Sequence, residues 1–143
     1  MIISQGYDKD KDLDFEKSTD YLFGKIGEEL ARDIFIDNNY KIEVKTERDK
    51  WVKTGNIAIE YESRGEWSGI ITTKSEMWLH FLSINKKIVG AFFFRTSILR
   101  EYIKNNQNKL IKKNGGDDNT SRLFLINIKE NIREIYELQS KNL

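Results

Sequence analysis

The 143-residue sequence contains no cysteine, no proline and only one histidine, His80. Without cysteine the chain can form no disulfide and can offer no thiolate to a metal. One histidine and no recognisable nucleophile elbow argue against covalent catalysis by a Ser–His–Asp or Cys–His set. Because His80 lies beside Trp78 and Phe81 in an apolar pattern of helical spacing, we assign it a structural role.

Long apolar runs and a strong net charge are also missing. No stretch approaches the ~20 apolar residues that a membrane-spanning helix needs, so we expect no membrane partner. Residues 1–17 are polar and acidic and lack the basic start and apolar middle of a secretory signal. We therefore expect a cytoplasmic protein. The formal net charge of +1 gives no general indication of nucleic-acid binding.

Charged residues make up 33% of the chain and hydrophobic residues 38%, an ordinary balance for a globular protein. The length suits one domain with a substantial core. We expect a weakly ordered lead-in over residues 1–17 and a single domain over residues 18–143.

The apolar pattern predicts an α/β fold, in which a central mixed β-sheet is flanked by helices. In chain order it predicts a helix from about residue 20, strands at 41–47 and 56–62, a short strand at 68–73, a helix at 75–83, a buried central strand at 87–96, a helix around 98–103, a loop at 114–119, a strand at 122–128 and a helix at 130–139.

The predicted strands at 41–47 and 56–62 carry the clearest chemical pattern. Alternation places Glu43, Lys45 and Glu47 opposite Ile42, Val44 and Thr46, and it places Glu60 and Glu62 opposite Ile57, Ile59 and Tyr61. In an antiparallel hairpin with its apolar side inward, four carboxylates and one lysine would share a patch, with cross-strand neighbours about 5 Å apart. Like charges at that distance repel, so the patch favours a divalent cation such as Mg²⁺.

A carboxylate and a lysine two residues apart on one strand suit the hydrolysis of a phosphodiester. The carboxylate of Glu43 would hold a metal that activates water, and the ammonium of Lys45 would steer water or phosphate. The alternative is a solvated sheet face with cross-strand Glu–Lys pairs.

Basic residues are concentrated in the predicted hairpin loop, where Arg48, Lys50 and Lys53 are interleaved with Trp51. Such a local patch can neutralise phosphates whatever the total charge. The alternative is a set of ordinary solubilising residues. Trp51 and Trp67 flank the carboxylate patch and could stack on bases, or they could be packing residues.

Four runs, at residues 24–28, 42–45, 55–62 and 68–73, resemble the PD-(D/E)XK phosphodiesterase superfamily, which has the restriction-endonuclease-like fold, and in particular its small phage-type nucleases. The resemblance covers roughly residues 21–96. It implies an αβββαβ core, here with a C-terminal helix–strand–helix extension. It also implies a Mg²⁺- or Mn²⁺-dependent nuclease that hydrolyses phosphodiester bonds in DNA, and specificity for DNA structure is one option within that function.

The same resemblance implies that Glu43 is a metal ligand, that Lys45 orients water or phosphate, and that Glu28 completes the metal shell. Because the chain departs from the family at its first acid, we expect a rearranged catalytic set of Glu28, Glu43, Lys45 and Glu60, in which the three glutamates hold the metal. Glu29 is the neighbouring alternative to Glu28, which could also be a helix-surface glutamate. The chain lacks the Pro-Asp of the family, and Asp33, Asp37, Glu47 and Glu62 are the candidates for the missing acid.

Several alternatives stay open. The chain could be a non-catalytic nucleic-acid- or protein-binding module that retains the nuclease fold, and it could form a homodimer. The substrate could be duplex, single strand, junction or nick, and DNA or RNA.

Overall fold

The computed structural model describes Glu29 and residues 40–142. The chain divides into two compact units, Met1–Asn39 and Tyr40–Leu143, and the account below concerns the second. The predicted lead-in and first helix, with Glu28, Asp33 and Asp37, lie outside the described residues. Glu29 is exposed. The single-domain prediction stays a prediction.

Residues 40–142 form two β-sheets and three helices. In chain order the elements are β1 (Ile42–Glu47), α1 (Lys50–Thr54), β2 (Asn56–Ser63), β3 (Glu66–Trp67), β4 (Met77–Ile84), β5 (Lys87–Arg95), α2 (Thr96–Asn106), β6 (Ile111–Gly115), β7 (Ser121–Asn127) and α3 (Asn131–Lys141). A 3₁₀ turn, Asp117–Asn119, links β6 to β7. The fold is therefore mixed α/β, as predicted, with sheets flanked by helices. No helix among these residues is long and apolar enough to cross a membrane.

The strands separate into a mixed sheet and an antiparallel sheet. The mixed sheet has the order β1-β4-β5, in which β1 is parallel to β4 and β4 is antiparallel to β5. The antiparallel sheet has the order β3-β2-β7-β6. The predicted hairpin of β1 with β2 is therefore wrong. The short helix α1 lies between these strands and directs them into different sheets.

The segment predicted as a helix at 75–83 is the strand β4. Its apolar residues Met77, Trp78, Phe81 and Leu82 fit helical spacing, but they also fit a strand with both faces covered, which periodicity alone cannot distinguish. β4 lies between β1 and β5 and is almost entirely buried or half-buried.

The predicted central strand exists as β5, but it lies at the end of the mixed sheet. Its first half is exposed, and the side chains of Ile88 and Val89 are each 53% exposed. Helix α3 covers the second half of β5. The backbone N–H groups of Phe93 and Arg95 donate to two of its side chains, Tyr136 Oη at 3.3 Å and Gln139 Oε1 at 2.9 Å. The apolar run therefore packs against a helix as well as a strand.

Two further predictions need correction. Residues 68–73 form turns instead of a strand, and Gly69 has a φ of +53°, which a residue without a side chain adopts readily. The predicted loop at 114–119 begins with the last two residues of β6. This strand was missed because it is exposed and consists mostly of lysine and asparagine, without an apolar alternation. The predicted helix around 98–103, the strand at 122–128 and the closing helix correspond to α2, β7 and α3.

The hydrophobic core joins side chains from both sheets with the inner faces of α2 and α3. Its fully buried members include Ile57 and Ile59 of β2, Trp78 of β4, Phe94 of β5 and Leu99 of α2. Burying large side chains of this kind contributes about 1.5–3 kcal/mol each. The core therefore fixes the positions of β2 and β4, the strands next to the candidate site.

Tyr102 links α2 to α3 by a polar contact at the edge of the core. Its hydroxyl donates to Glu134 Oε2 at 2.7 Å and accepts from Asn131 Nδ2 at 3.0 Å. Burial and the hydrogen bond to Glu134 raise the pKa of Tyr102 from 10.0 to about 12. The protonated hydroxyl is therefore the form that stabilises the folded chain.

Replacing Tyr102 with Phe should lower the free energy of unfolding by about 1–2 kcal/mol at neutral pH, because a hydrogen bond to a charged group is lost. The difference should be fully present below pH 10, the unfolded pKa, and should shrink as the pH rises towards 12, the folded pKa. Urea denaturation between pH 7 and pH 11.5 measures it. Tyr40→Phe, at a position 51% exposed, is the control and should change little. A constant difference across this pH range would contradict the prediction.

Candidate functional site

The charged face of β1 is its inward face, opposite to the prediction. Glu43, Lys45 and Glu47 have side chains 33%, 36% and 16% exposed, whereas Val44 on the other face is 52% exposed. The pairing with β4 explains this reversal, because Glu43 is in register with Trp78 and Lys45 with His80. Residues in register share a face of a sheet, and Trp78 and His80 are fully buried. We call Glu43, Lys45 and Glu47 the inward row.

Glu43 and Lys45 form an ion pair within the inward row. Lys45 Nζ lies 3.0 Å from Glu43 Oε1 and 5.8 Å from the centre of the Trp78 ring. Thr73 Oγ1 donates to the other carboxylate oxygen of Glu43 at 3.3 Å. Because both residues are about one-third exposed, solvent screens the pair and its contribution to stability is small. The pair is held in place and remains accessible to a ligand.

Glu47 is the most buried member of the row and the one with the strongest contacts. Its Oε1 accepts from the backbone N–H of Ala58 at 2.6 Å and lies 3.0 Å from His80 Nε2. Its backbone carbonyl accepts from Ser83 Oγ at 2.6 Å. This carboxylate therefore links the mixed sheet to β2 of the antiparallel sheet through side-chain contacts. The sequence analysis predicted backbone pairing between β1 and β2 instead.

Glu60 and Glu62 lie on β2 but do not share a face. Two residues of β2 oppose one of β7 at this point, so that Glu60 is in register with Leu123 and Glu62 with Arg122. Such a bulge interrupts the alternation of side chains. Adjacent β7 residues point to opposite faces, and their partners Glu60 and Glu62 do so too. The prediction that both glutamates face the same patch is therefore wrong.

Each of these two glutamates has partners of its own. Glu60 accepts from Ser121 Oγ at 2.6 Å and from Ser68 Oγ at 3.1 Å, one hydroxyl on each oxygen. Arg122 Nε lies 2.9 Å from a carboxylate oxygen of Glu62. Within residues 40–142, no group of three or more His, Asp or Glu side chains is arranged to hold a metal ion. Glu43, Lys45 and Glu47 therefore share one face of β1, whereas Glu60 and Glu62 point to opposite faces of β2 and each has its own partners.

The turns at residues 68–73 connect the inward row to Glu60. Ser68 contacts Glu60 and Thr73 contacts Glu43. Arg100 fixes the turns from α2, because it donates to the backbone oxygens of Ile70 and Thr73, each at 2.9 Å. The sequence analysis missed Thr73, Arg100 and the contact of His80 with Glu47. No short-range pattern marks them, since each partner is at least 27 residues away.

The basic residues Arg48, Lys50 and Lys53 are all exposed, on and beside α1 instead of in a hairpin loop. Trp51 anchors this helix: its indole N–H donates to the backbone oxygen of Ser83 at 2.8 Å, and its ring packs against the core. Its stacking on bases stays a prediction. Trp67 is 65% exposed, so its ring is more accessible to solvent than that of Trp51.

The chain matches no protein-family model, no curated protein and no solved structure. The geometry of the site therefore carries the functional argument alone.

The close approach of Gly69 to β2 can be tested with a matched pair of substitutions. A Cβ atom at Gly69 would overlap the backbone oxygen of Glu60, whereas one at Gly65 would meet nothing within 4 Å; both glycines have positive φ. Gly65→Ala should cost only the backbone strain, about 1–2 kcal/mol. Gly69→Ala should cost clearly more, because the turns that hold Glu43 and Glu60 must also move. Urea denaturation of both variants measures the difference, and equal losses would contradict the prediction.

Proposed function

We propose that the chain is a divalent-metal-dependent nuclease that hydrolyses phosphodiester bonds in DNA, with Glu43 and Lys45 in its active site. The observation that supports this proposal most is the inward position of the charged row. A merely solvated sheet face would expose the glutamates and bury Val44, and β1 does the reverse. Partial burial of charges costs free energy, and a binding or catalytic role would account for that cost.

The donor atoms at this site suit Mg²⁺ or Mn²⁺. Mg²⁺ in phosphate-processing sites usually keeps several waters and binds through one or two carboxylates together with substrate oxygens. Glu43 and Glu47 supply carboxylates on one strand face, so a preformed group of three ligands is not required. Glu28 and Glu60 remain in the proposed set as further ligands, and Glu28 lies outside the described residues.

Each residue of the pair has a separate role in the proposal. A bound metal would lower the pKa of a water molecule and offset negative charge on the phosphate. Glu43 supplies a ligand oxygen and orients Lys45 through their ion pair of 3.0 Å. Lys45 directs its ammonium at the attacking water or at a phosphate oxygen. The face of the Trp78 ring restricts the positions that the ammonium can take.

The basic side chains of α1 are the proposed contact with DNA. Arg48, Lys50 and Lys53 follow directly after the inward row in the chain, and the anchor at Trp51 holds their helix against the core. Their exposure allows them to pair with backbone phosphates, which supply most of the affinity for DNA in the absence of base contacts.

A non-catalytic binding module is the second candidate. Both carboxylate oxygens of Glu60 are occupied by serine hydroxyls, and the described residues contain no group of three acidic or histidine side chains arranged around a metal. In such a module the inward row would be structural, and DNA binding through α1 would occur without cleavage.

Lys45→Ala should reduce the cleavage rate on the order of a hundredfold, because a contact with the reacting phosphate is removed. Metal binding should change little. The assay uses whichever of single-stranded, duplex, nicked and junction DNA the wild type cuts with Mg²⁺ or Mn²⁺. Metal titration of both proteins runs beside it.

Lys112→Ala is the matched control, because Lys112 Nζ also lies 5.8 Å from the centre of an aromatic ring, that of Phe124. It lies on the exposed strand β6 of the antiparallel sheet, whereas the inward row lies on β1 of the mixed sheet. Full activity in Lys45→Ala would reject the role of Lys45. Equal losses in the two variants would attribute the effect to charge or packing in general.

Replacing Arg48, Lys50 and Lys53 together with Ala should weaken DNA binding and flatten its salt dependence. Each lost phosphate contact removes about 0.9 units from the slope of log affinity against log salt concentration. Fluorescence anisotropy with labelled DNA at several salt concentrations measures the slope. The control replaces Lys104, Lys112 and Lys113, which are also exposed and carry the same total charge. A slope that falls only in the control would place the contact surface elsewhere.

A further inference from the structure

His80 is the only histidine of the chain, and just 1% of its surface is exposed. Both ring nitrogens have partners. Nδ1 lies 3.2 Å from the indole Nε1 of Trp78, and Nε2 lies 3.0 Å from Glu47 Oε1. The ring is therefore held between a donor and a carboxylate.

The partners determine which nitrogen carries the proton. An indole N–H can only donate, so Nδ1 accepts and carries no hydrogen. Nε2 then carries the one proton of the ring and donates it to Glu47. The imidazole is neutral in this arrangement, and its hydrogen bond orients Glu47 without cancelling the charge.

Within the described part of the chain, the charge of Glu47 has no counter-ion. Its second donor, the backbone N–H of Ala58, is also neutral. Among residues 40–142, no lysine or arginine forms an ion pair with this carboxylate. Both donors reach Oε1. No described residue donates to Oε2.

Glu43 and Glu60 differ from Glu47 in this respect. Each oxygen of Glu43 already has one described partner, Lys45 or Thr73, and each oxygen of Glu60 has one serine hydroxyl, so that a metal would bind these carboxylates beside existing partners. A largely buried carboxylate whose described donors are all neutral is costly unless a cation compensates it. Glu47 is thus the member of the inward row whose surroundings most require a cation.

We propose that His80 is a positioning residue of the site: as the neutral Nε2–H tautomer set by Trp78, it holds Glu47 charged, with Oε2 open to a divalent cation. The inference rests on the proposed metal-dependent function and names the residue that organises its metal ligand. A histidine or carboxylate that orients a ligand typically changes metal affinity or activity 10- to 100-fold when it is replaced. His80 would act through Glu47 and would not touch the substrate.

The single imidazole gives a direct test, since protein labelled with ¹⁵N-histidine gives signals from one ring. The ¹⁵N spectrum of the wild type should show the neutral tautomer protonated at Nε2. Added Mn²⁺ should broaden these signals, and excess Mg²⁺ should reverse the broadening. Glu47→Gln should abolish it, whereas Glu62→Gln, which removes the same charge from β2, should not. The other tautomer or a charged ring, or broadening that survives Glu47→Gln, would overturn the inference.

Two substitutions at His80 separate positioning from packing. Gln can place an amide donor near the position of Nε2, whereas Leu fills the space without a donor. His80→Gln should bind Mn²⁺ within about threefold of the wild type, and His80→Leu should bind it at least tenfold more weakly. Equal affinities in the two variants would overturn the positioning role. Circular dichroism checks that both fold, and if Leu prevents folding, the labelled wild type and Glu47→Gln still decide the question.

These outcomes are distinct from those of the nuclease proposal. Mn²⁺ binding as expected, together with a wild type that cuts no DNA, would reject the nuclease and retain His80 and Glu47 as a cation site. Metal-dependent cleavage that is unaffected by Glu47→Gln and His80→Leu would retain the nuclease and overturn the inference.

Discussion

The parallel pairing of β1 with β4 is the constraint on which the rest of the site depends. It places Glu43 beside Trp78 and Lys45 beside His80, so that the charged side of β1 faces buried aromatic and imidazole rings. A shift of one residue in this register would exchange the two faces of the strand. Val44 would then turn inward, and the ion pair, the contact with the Trp78 ring and the contact of Glu47 with His80 would all be lost.

The same pairing gives the polar groups of the row a continuous set of partners. From Glu43 the contacts pass to Lys45, over the ring of Trp78, through the indole N–H to His80 and on to Glu47. Among the described residues that are not exposed, no buried side-chain nitrogen or oxygen lacks a partner. The fold can therefore place charged residues inward because β4 supplies apolar cover and part of the hydrogen bonds, and Ala58 and Thr73 supply others.

The sequence was sufficient for elements whose own pattern decides their structure. Helices α2 and α3 have apolar residues such as Ile98, Leu99 and Ile135 at helical spacing, and β7 contains a short apolar run, residues 123–126, so these three were predicted correctly. β4 was predicted as a helix because a strand covered on both faces loses its alternation. The hairpin of β1 and β2 was predicted because the two strands follow one another in the chain. In the structure α1 lies between them, and β2 belongs to the other sheet.

The sequence identified some residues of the site, but it did not predict which way their side chains point. The Glu-x-Lys pattern drew attention to Glu43 and Lys45, which the structure does bring together, and whose function stays a proposal. The inward direction of their face depended on pairing with a strand more than 30 residues away. The bulge near Tyr61 separated Glu60 from Glu62, and no local signal marked it. His80 was assigned a structural role from its apolar neighbours Trp78 and Phe81, and its partner Glu47, 33 positions earlier, could not be seen from local sequence.

The junction between β1 and β2 has a mechanical consequence. Consecutive strands usually share a ladder, which opens only when several backbone hydrogen bonds break together. Here the two strands belong to different sheets, and one carboxylate, that of Glu47, joins β1 to the N–H of Ala58. A small displacement of one sheet against the other at this point would break a single side-chain contact and leave both ladders whole. Among the described residues, β1 and β2 are therefore joined beside the inward row by a side-chain contact and not by a ladder.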